Sequence, residues 1–207
     1  IMNYSEVVAA VQAYSDRSDS ATVANMDVFL RMVEARVNRA LRNEEMCIQY
    51  DIPTVQDQAS YDLPADYAGM RSISLETSGA ITPLTYINPE LTDWQVDNES
   101  YADVTFYTIR SKKLVLSKVP ADALSNIRIN YFKKVPELTS TATTNWLSEL
   151  NPDVYVNGMM VEVSAFVKNV EAATAWDARY NVSIAEMIAS NWNDKWSGTP
   201  MVVMVAE

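Results

Sequence analysis

One stretch, NPDVYVNGMMVEVSAFV at residues 151–167, constrains the fold more than any other part of the chain. It begins with helix-start residues, since Asn151 is a good N-cap, Pro152 suits the first helical position and Asp153 favours the positive helix end. After Asp153 the stretch carries one formal charge, Glu162. A helix that is apolar on most faces needs neighbours on most faces. Helices predicted in the N-terminal part of the chain can cover one side of it. The faces that are left predict contact with a β domain, predicted in the middle of the chain, or with another subunit.

A second helix follows, and its aromatic side chains recur in steps of four. It is predicted to begin near Asn169 or Glu171. Because four residues overshoot one 3.6-residue turn, a row with this spacing drifts slowly around the helix. The row can form core against the preceding helix, or its last turns can bind a partner, since aromatic residues anchor interfaces. The row consists of Trp176, Tyr180, Ile184, Ile188, Trp192 and Trp196, of which the four aromatic residues are candidate interface residues.

The C-terminal segment, residues 197–207, is predicted to be an extended arm. Gly198 and Pro200 end the helix, and an uncharged, β-prone run follows. An apolar run free in water would promote aggregation, so we expect it to dock. It can do so as an edge strand in the same chain or by strand addition to a partner. The candidate interface residues of the arm are Met201, Val202, Val203, Met204 and Val205.

Residues 1–46 are predicted to be helical. The segment NYSEVVAAVQAY places apolar residues on one face, with Asn3 or Ser5 as a cap. After a polar turn, VANMDVFLRMVEARVNRALRNEEM predicts one long amphipathic helix with apolar residues three or four apart. Its arginines share the wetter side with acidic residues, Glu34 among them. This pattern is typical of a solvated, salt-bridged face rather than a nucleic-acid-binding surface.

The period changes to that of strands in the middle of the chain. Residues 47–135 are predicted to form a small antiparallel β domain, with a hairpin turn at residues 110–113 and an alternating strand in NIRINYFKKV. Residues 136–150 are predicted to be a linker, and residues 151–196 two helices. The predicted fold class is therefore α+β: a helical bundle from both ends of the chain, an inserted small antiparallel β domain and an extended C-terminal arm.

The charge of the chain is negative and unevenly distributed. The net charge is −11, yet residues 104–135 carry seven basic side chains and one acidic side chain. Such a block is first read as solvated strand edges protected by lysine, second as a contact for an acidic partner and third as a grip on DNA. Acidic surfaces repel phosphate, so we expect DNA to pass without tight specific binding. The candidate basic patch comprises Arg110, Lys112, Lys113, Lys118, Arg128, Lys133 and Lys134.

The composition argues against most kinds of enzyme and cofactor site. The chain has no histidine, one cysteine and four glycines. It therefore lacks the commonest general base, the usual zinc ligands and a glycine-rich phosphate loop, and we expect no catalytic residue, cofactor or metal. The remaining catalytic option is a carboxylate pair, with Asp62 and Asp66 or Asp93 and Asp97 as candidates. No apolar run is long enough to cross a membrane.

Three segments of the chain share their order and spacing with a known family. They are YDLPADY at residues 61–67, KLVLSKVP leading to IRINYFKKVPELT, and NWLSELNPDVYVNGMMVEVSAFVKNVEAATAWDARY. In this order they resemble the head-to-tail adaptor (connector) proteins of short-tailed bacteriophages. The similarity spans about residues 47 to 190, and the N-terminal helices and the valine-rich arm match less closely. The resemblance implies a structural virion protein that is not an enzyme.

Adaptors of this kind assemble as a ring of about a dozen copies on the portal vertex, where they extend the DNA channel and provide the platform for the tail tube or nozzle. The resemblance therefore implies three partners: the portal protein, the tail protein and other copies of the chain. It implies a place in the virion after assembly in the host cytoplasm, neighbouring subunits that cover the 151–167 helix, and an arm that reaches the portal. Another protein of the same vertex, for tail completion or the tail tube, is the alternative, and a carboxylate-dependent hydrolase is a further one.

Overall fold

The structure of the protein is a computed structural model that describes residues 1–77, 79–90, 106–117 and 125–196, the last six of them by backbone alone. The protein is α+β, as predicted, and divides into two compact units. The helical unit comprises Ile1–Glu45 and the chain from Val135 onward, and the β unit comprises Met46–Lys134. The predicted arm, residues 197–207, lies outside the described residues.

Three helices form the N-terminal segment: α1 (Tyr4–Ser15), α2 (Ser20–Ala24) and α3 (Met26–Ala40). The predicted cap is confirmed, because Asn3 and Glu6 form a reciprocal capping box at the start of α1. The prediction of one long helix is wrong. The backbone N–H of Asn25 bonds to the carbonyl oxygen of Thr22, three residues back (3.1 Å), which interrupts the regular ladder between α2 and α3. Helix α3 ends at Leu41, where the backbone is extended.

The middle segment forms two four-stranded sheets after a short 3-10 turn, Glu44–Met46. Its strands are β1 (Cys47–Pro53), β2 (Ser60–Asp62), β3 (Tyr67–Thr77), β4 (Ala80–Pro83), β5 (Thr85–Tyr86), β6 (Phe106–Arg110), β7 (Lys113–Leu116) and β8 (Ser125–Lys133). The strand orders are β1-β8-β3-β4 and β2-β7-β6-β5. Ile127, Ile129 and Tyr131 of β8 are buried, as the alternating pattern predicts, and join Leu114 and Leu116 of β7 in one apolar core.

The predicted hairpin is confirmed and links β6 to β7. Ser111 and Lys112 form its turn, with positive φ values of 49° and 64°. Two consecutive residues with positive φ match the right-handed twist of the flanking strands. The predicted antiparallel pairing holds for every described strand pair except β5 with β6, which is parallel.

The predicted linker, residues 136–150, contains a short helix at its end. This helix is α4 (Trp146–Leu150), and it precedes α5 (Pro152–Phe166) and α6 (Val170–Trp196). The side-chain oxygen of Asn145 accepts the N–H of Ser148 (2.8 Å), and the Ser148 hydroxyl accepts the N–H of Asn145 (3.1 Å). Asn151 lies at the N-cap position of α5, but its side chain makes no cap hydrogen bond, so the capping predicted there is wrong.

Helix α5 is the centre of the helical unit, because α1, α3, α4 and α6 all pack against it. Tyr155, Met159 and Val163 are buried among these neighbours. The prediction that the N-terminal helices cover one side of α5 is confirmed. The prediction that the β domain or another subunit covers the other faces is not confirmed, because α4 and α6 of the same unit cover much of them. Near its end α5 reaches the surface, and Phe166 is 44% exposed.

Candidate interaction site

The predicted aromatic row of α6 divides between the core and the surface. Tyr180 and Ile184 are buried, whereas Ile188 is 48% exposed. The drift of a four-residue row explains this change, because each step adds about 40° and two steps carry a side chain out of the core face. Trp192 and Trp196 follow on the last turns of α6, and their side chains lie outside the described residues. The row therefore serves as core over part of its length.

Trp176 forms one wall of a cleft within the helical unit. Its ring packs edge-on against Tyr14, with 6.0 Å between the ring centroids, and the Arg179 guanidinium lies 4.7 Å from the Trp176 ring centroid. Tyr14 is 67% exposed. The cleft has a volume of about 340 Å³ and is lined by Met2, Ala10, Tyr14, Pro152, Asp153, Val156, Asn157, Trp176 and Arg179. Trp176 thus remains on an open surface, unlike Tyr180.

Arg36 of α3 fixes how α5 and α6 are rotated. One of its nitrogens lies 2.6 Å from the Asp177 carboxylate, and another lies 3.7 Å from the Glu162 carboxylate. The guanidinium plane also lies 4.4 Å from the centre of the Tyr180 ring, where burial raises the pKa of the phenol. Because one side chain holds both helices, Tyr180 stays inside and the opposite face of α6 points outward.

A buried polar network ties α3 to α5. One carboxylate oxygen of Glu34 accepts the backbone N–H of Leu138 (2.8 Å) and the hydroxyl of Tyr155 (3.1 Å), and the Asn145 side-chain amide donates to the Tyr155 oxygen (2.8 Å). Burial raises the pKa of the Glu34 carboxyl and that of the Tyr155 phenol. Placing Glu34 on the wet side of α3 is therefore wrong, because its hydrogen-bond donors lie far away in the sequence.

The outward face of α6 is apolar. Val182 is 56% exposed and lies about 200° around the helix from the buried Tyr180. The described charged side chains of α6 are Glu171, Arg179 and Glu186, which are exposed, and Asp177, which is paired with Arg36. We call this face the ridge; it consists of exposed residues three or four apart, namely Ala175, Ala178, Val182, Ala185 and Ala189.

A groove lies beside the ridge, where α5 turns into α6. It has a volume of about 470 Å³ and is lined by Val161, Ala165, Lys168, Val170, Ala173, Thr174 and Asp177. Val170 is 76% exposed, and Phe166 next to the groove packs edge-on against Phe29, with 5.5 Å between ring centroids. Neither the groove nor the ridge was predicted from the sequence. The signal for the ridge was the three-and-four spacing of alanine and valine in the sequence.

Five of the predicted basic residues gather at one end of the β unit. They are Arg110, Lys112, Lys113, Lys133 and Lys134. Strand register pairs Arg110 with Lys113 across the hairpin, and Lys112 lies in its turn. The segment between β2 and β3 connects the two sheets here, because the Leu63 N–H donates to the Lys112 carbonyl and the Lys134 N–H donates to the Asp66 carbonyl (3.4 and 2.7 Å).

The other two predicted basic residues do not belong to this end. Arg128 lies further along β8, where it pairs with Asp51 (3.2 Å) and Glu76 of the neighbouring strands. These carboxylates balance its charge, which agrees with the prediction that the basic residues are solvated residues of the strands. Lys118 lies outside the described residues.

The candidate carboxylate pairs have structural partners where they are described. Asp62 pairs with Lys113 across two strands (3.2 Å), and Asp66 accepts the hydroxyl of Tyr131 (2.9 Å). Burial, aided by this bond, raises the pKa of Tyr131 to about 12. Asp93 and Asp97 lie outside the described residues. Within the described ranges, no group of three potential ligands could hold a metal ion, and no helix is long and apolar enough to cross a membrane.

Comparison with known proteins agrees with the resemblance seen in the sequence. The model of a family described as SU10 adaptor protein matches residues 2–204, which is nearly the whole chain. The predicted resemblance to phage head-to-tail adaptors is therefore confirmed, and it extends over the N-terminal helices and most of the arm. A search of curated proteins finds no match to the chain.

Proposed function

Because the chain belongs to the SU10 adaptor protein family, and is thus a structural adaptor of a phage virion, we propose that it joins head to tail as a ring. In this proposal the ring sits on the portal vertex, extends the DNA channel and provides the docking platform for the tail. About a dozen copies form it, as in the adaptors that the chain resembles, and their head-to-tail contacts close because the rotation from one copy to the next completes a full turn. The role requires no catalysis, cofactor or metal.

The observation that carries the proposal, beside the family itself, is the apolar outward surface of α6. The chain has a net charge of −11, yet this surface carries alanine and valine where charged residues would be expected on a lone helix, with a groove beside them. The subunit remains monomeric until portal surface is available, because its net charge opposes self-association. Assembly then begins in the host cytoplasm.

The remaining contacts follow from the predicted surfaces. The arm, with Met201, Val202, Val203, Met204 and Val205, docks on the portal. The basic end of the β unit, with Lys112 and Lys134 among its exposed residues, contacts an acidic surface of the portal or tail protein. Trp176, Trp192 and Trp196 complete the contacts along α6, and the acidic channel lets DNA slide without tight binding.

Molar mass measured by light scattering tests the proposal. The protein is measured alone and then mixed with the portal ring of the same phage. We expect a small species alone and a portal-sized complex with many copies in the mixture. A variant that ends at residue 198 tests the arm and should bind more weakly. A mixture without a complex would overturn the portal contact and favour the tail-completion or tail-tube alternative.

A DNA-binding titration tests the channel part of the proposal. The isolated protein should show no tight, salt-sensitive binding to duplex DNA, since the chain is acidic overall. A tight complex that weakens steeply with salt would contradict this expectation and assign the basic end to DNA instead.

A further inference from the structure

Two apolar surfaces of opposite shape lie on the same helical unit. The ridge on α6 is convex and narrow, because four of its five residues are alanine. The groove between α5 and α6 is concave, and Val170 stands exposed in its lining, with Phe166 exposed beside it. Val170 is 76% exposed and Val182 is 56% exposed, so the described residues of the chain leave both surfaces largely uncovered.

The ridge has a length and a profile that allow close packing. The ridge from Ala175 to Ala189 extends over about 21 Å, at 1.5 Å per residue. Alanine side chains let a neighbouring backbone approach closely, so a helix with such a face can enter a groove between two other helices. Val182 at the centre of the ridge is the one larger side chain and is 56% exposed.

The charges of the two surfaces also suit each other. The exposed Lys168 lies at the rim of the groove, where Asp177 is paired with Arg36, whereas Glu171 and Glu186 flank the ridge together with Arg179. The rest of the ridge is uncharged, so its burial removes few charges from water. An acidic partner of another kind would be attracted to Lys168 but would be repelled by Glu171 and Glu186 beside the ridge. A second copy of the chain offers a match for both surfaces.

We propose that the ridge of one copy packs into the groove of the next copy, and that this contact joins neighbouring subunits. The inference rests on the proposed ring and names its surfaces. The contact is head-to-tail, because the ridge and the groove are different surfaces of one subunit. An open arc of copies therefore keeps one free ridge at one end and one free groove at the other until the ring closes.

Two substitutions test the two surfaces separately. Val182→Glu places a carboxylate on the ridge, and Val170→Glu places one in the groove. Both positions are exposed, and glutamate suits a helix interior as well as the first residue of α6. Leu150→Glu is the matched control, since Leu150 is 61% exposed and belongs to neither surface. Circular dichroism checks that all three variants are folded.

The readout is the number of copies bound to the portal ring of the same phage. We expect the concentration for half-saturation to rise at least about tenfold for Val182→Glu and Val170→Glu, the effect of losing an interface anchor. Leu150→Glu should behave as the wild type. Filling of the portal by all three variants alike would overturn the inference while leaving the proposed function intact.

Cross-linking tests which surfaces meet. In a Cys47→Ser background, chains with Val182→Cys are mixed with chains carrying Val170→Cys and treated with a short bismaleimide. Ala178→Cys and Ala185→Cys cover the turns on either side. We expect a mixed dimer that neither chain forms alone and that Leu150→Cys does not form with Val182→Cys. Equal yields with Leu150→Cys would refute the contact.

The two experiments separate the failure of each idea. If the wild type does not join the portal, the proposed function is wrong, yet cross-linking of the protein alone still tests the ridge and the groove when the protein is concentrated enough to populate a weak contact between free subunits. If the wild type fills the portal and no ridge position cross-links to Val170→Cys, the ring stands and these surfaces are not its contact.

Discussion

Gly158 allows α5 to lie close to both α3 and α6, and its replacement by alanine should test how tightly these helices pack. A Cβ atom added at Gly158 would lie 2.8 and 2.9 Å from the two methyl carbons of Val33, and 3.1 Å from the Tyr180 ring. Side-chain carbons in proteins are normally separated by at least about 3.5 Å. The new atom therefore requires the helices to move apart by several tenths of an ångström or Val33 to distort.

The expected magnitude is a balance of two effects. Alanine stabilises a helix interior by about 1 kcal/mol relative to glycine. Overpacking a close-packed site costs about 1–3 kcal/mol. Val33 cannot relieve the contact cheaply, because a β-branched side chain in a helix has one strongly preferred rotamer and both of its methyl groups face the new atom. We expect Gly158→Ala to lower the free energy of unfolding by about 1 kcal/mol.

A double-mutant cycle measured by urea unfolding checks this reasoning. Tryptophan fluorescence is a suitable probe, since four of the five tryptophans lie in the helical unit. With Val33→Ala as the background the two closest contacts are gone and only the 3.1 Å approach to the Tyr180 ring remains, so Gly158→Ala should then gain up to about 1 kcal/mol. If Gly158→Ala stabilises the wild type, or has the same effect in both backgrounds, the close approach is not what requires glycine.

Three further predictions concern polar groups of the helical unit and use urea unfolding. Burial raises the pKa of Glu34 in the folded protein above its value in the unfolded chain, so folding takes up a proton there. The wild type should therefore lose stability relative to Glu34→Gln as pH rises from the unfolded pKa through the folded pKa. A difference that is constant with pH would contradict this. Asn145→Ala should cost about 2 kcal/mol, because a cap and the amide's hydrogen bonds to the Pro136 carbonyl and the buried Tyr155 hydroxyl are lost, whereas the control Asn151→Ala should change stability by less than about 0.5 kcal/mol. Arg36→Lys should cost about 1 kcal/mol, because lysine cannot reproduce the planar contact over Tyr180, and equal stability would refute that role.

The features that were predicted correctly depend on interactions between residues that are close in sequence. The capping box at Asn3 and the buried face of β8 follow from residues that are close in sequence, and both are confirmed. The break at Asn25 was missed because the apolar spacing continues across it, from Val23 to Met26. Asn145 and Asn151 look alike as caps, yet only Asn145 has its partners placed by the fold.

Surfaces were harder to predict because they depend on topology. The basic end of the β unit gathers residues of two sheets, and it exists because the Leu63–Asp66 segment lies between Lys112 and Lys134. Arg128 belongs to the same basic stretch of sequence but is neutralised by neighbouring strands. The ridge was not predicted because the large aromatic residues of α6 dominate its apolar pattern. Alanine indicates a contact surface only once the structure shows that it faces outward.

The helix whose apolar face lacks a neighbour is α6 rather than α5. The salt dependence of the contact between copies should show whether apolar or ionic attraction dominates it. Copies of net charge −11 repel each other, whereas the ridge and groove attract through apolar contact and few charges. Salt shortens the screening length from about 10 Å at 0.1 M to about 3 Å at 1 M and so weakens the repulsion. The cross-link between Val182→Cys and Val170→Cys should therefore form faster as salt increases. A yield that falls with salt would mean that ion pairs such as Lys168 with Glu186 hold the copies together, and that the apolar surfaces are secondary.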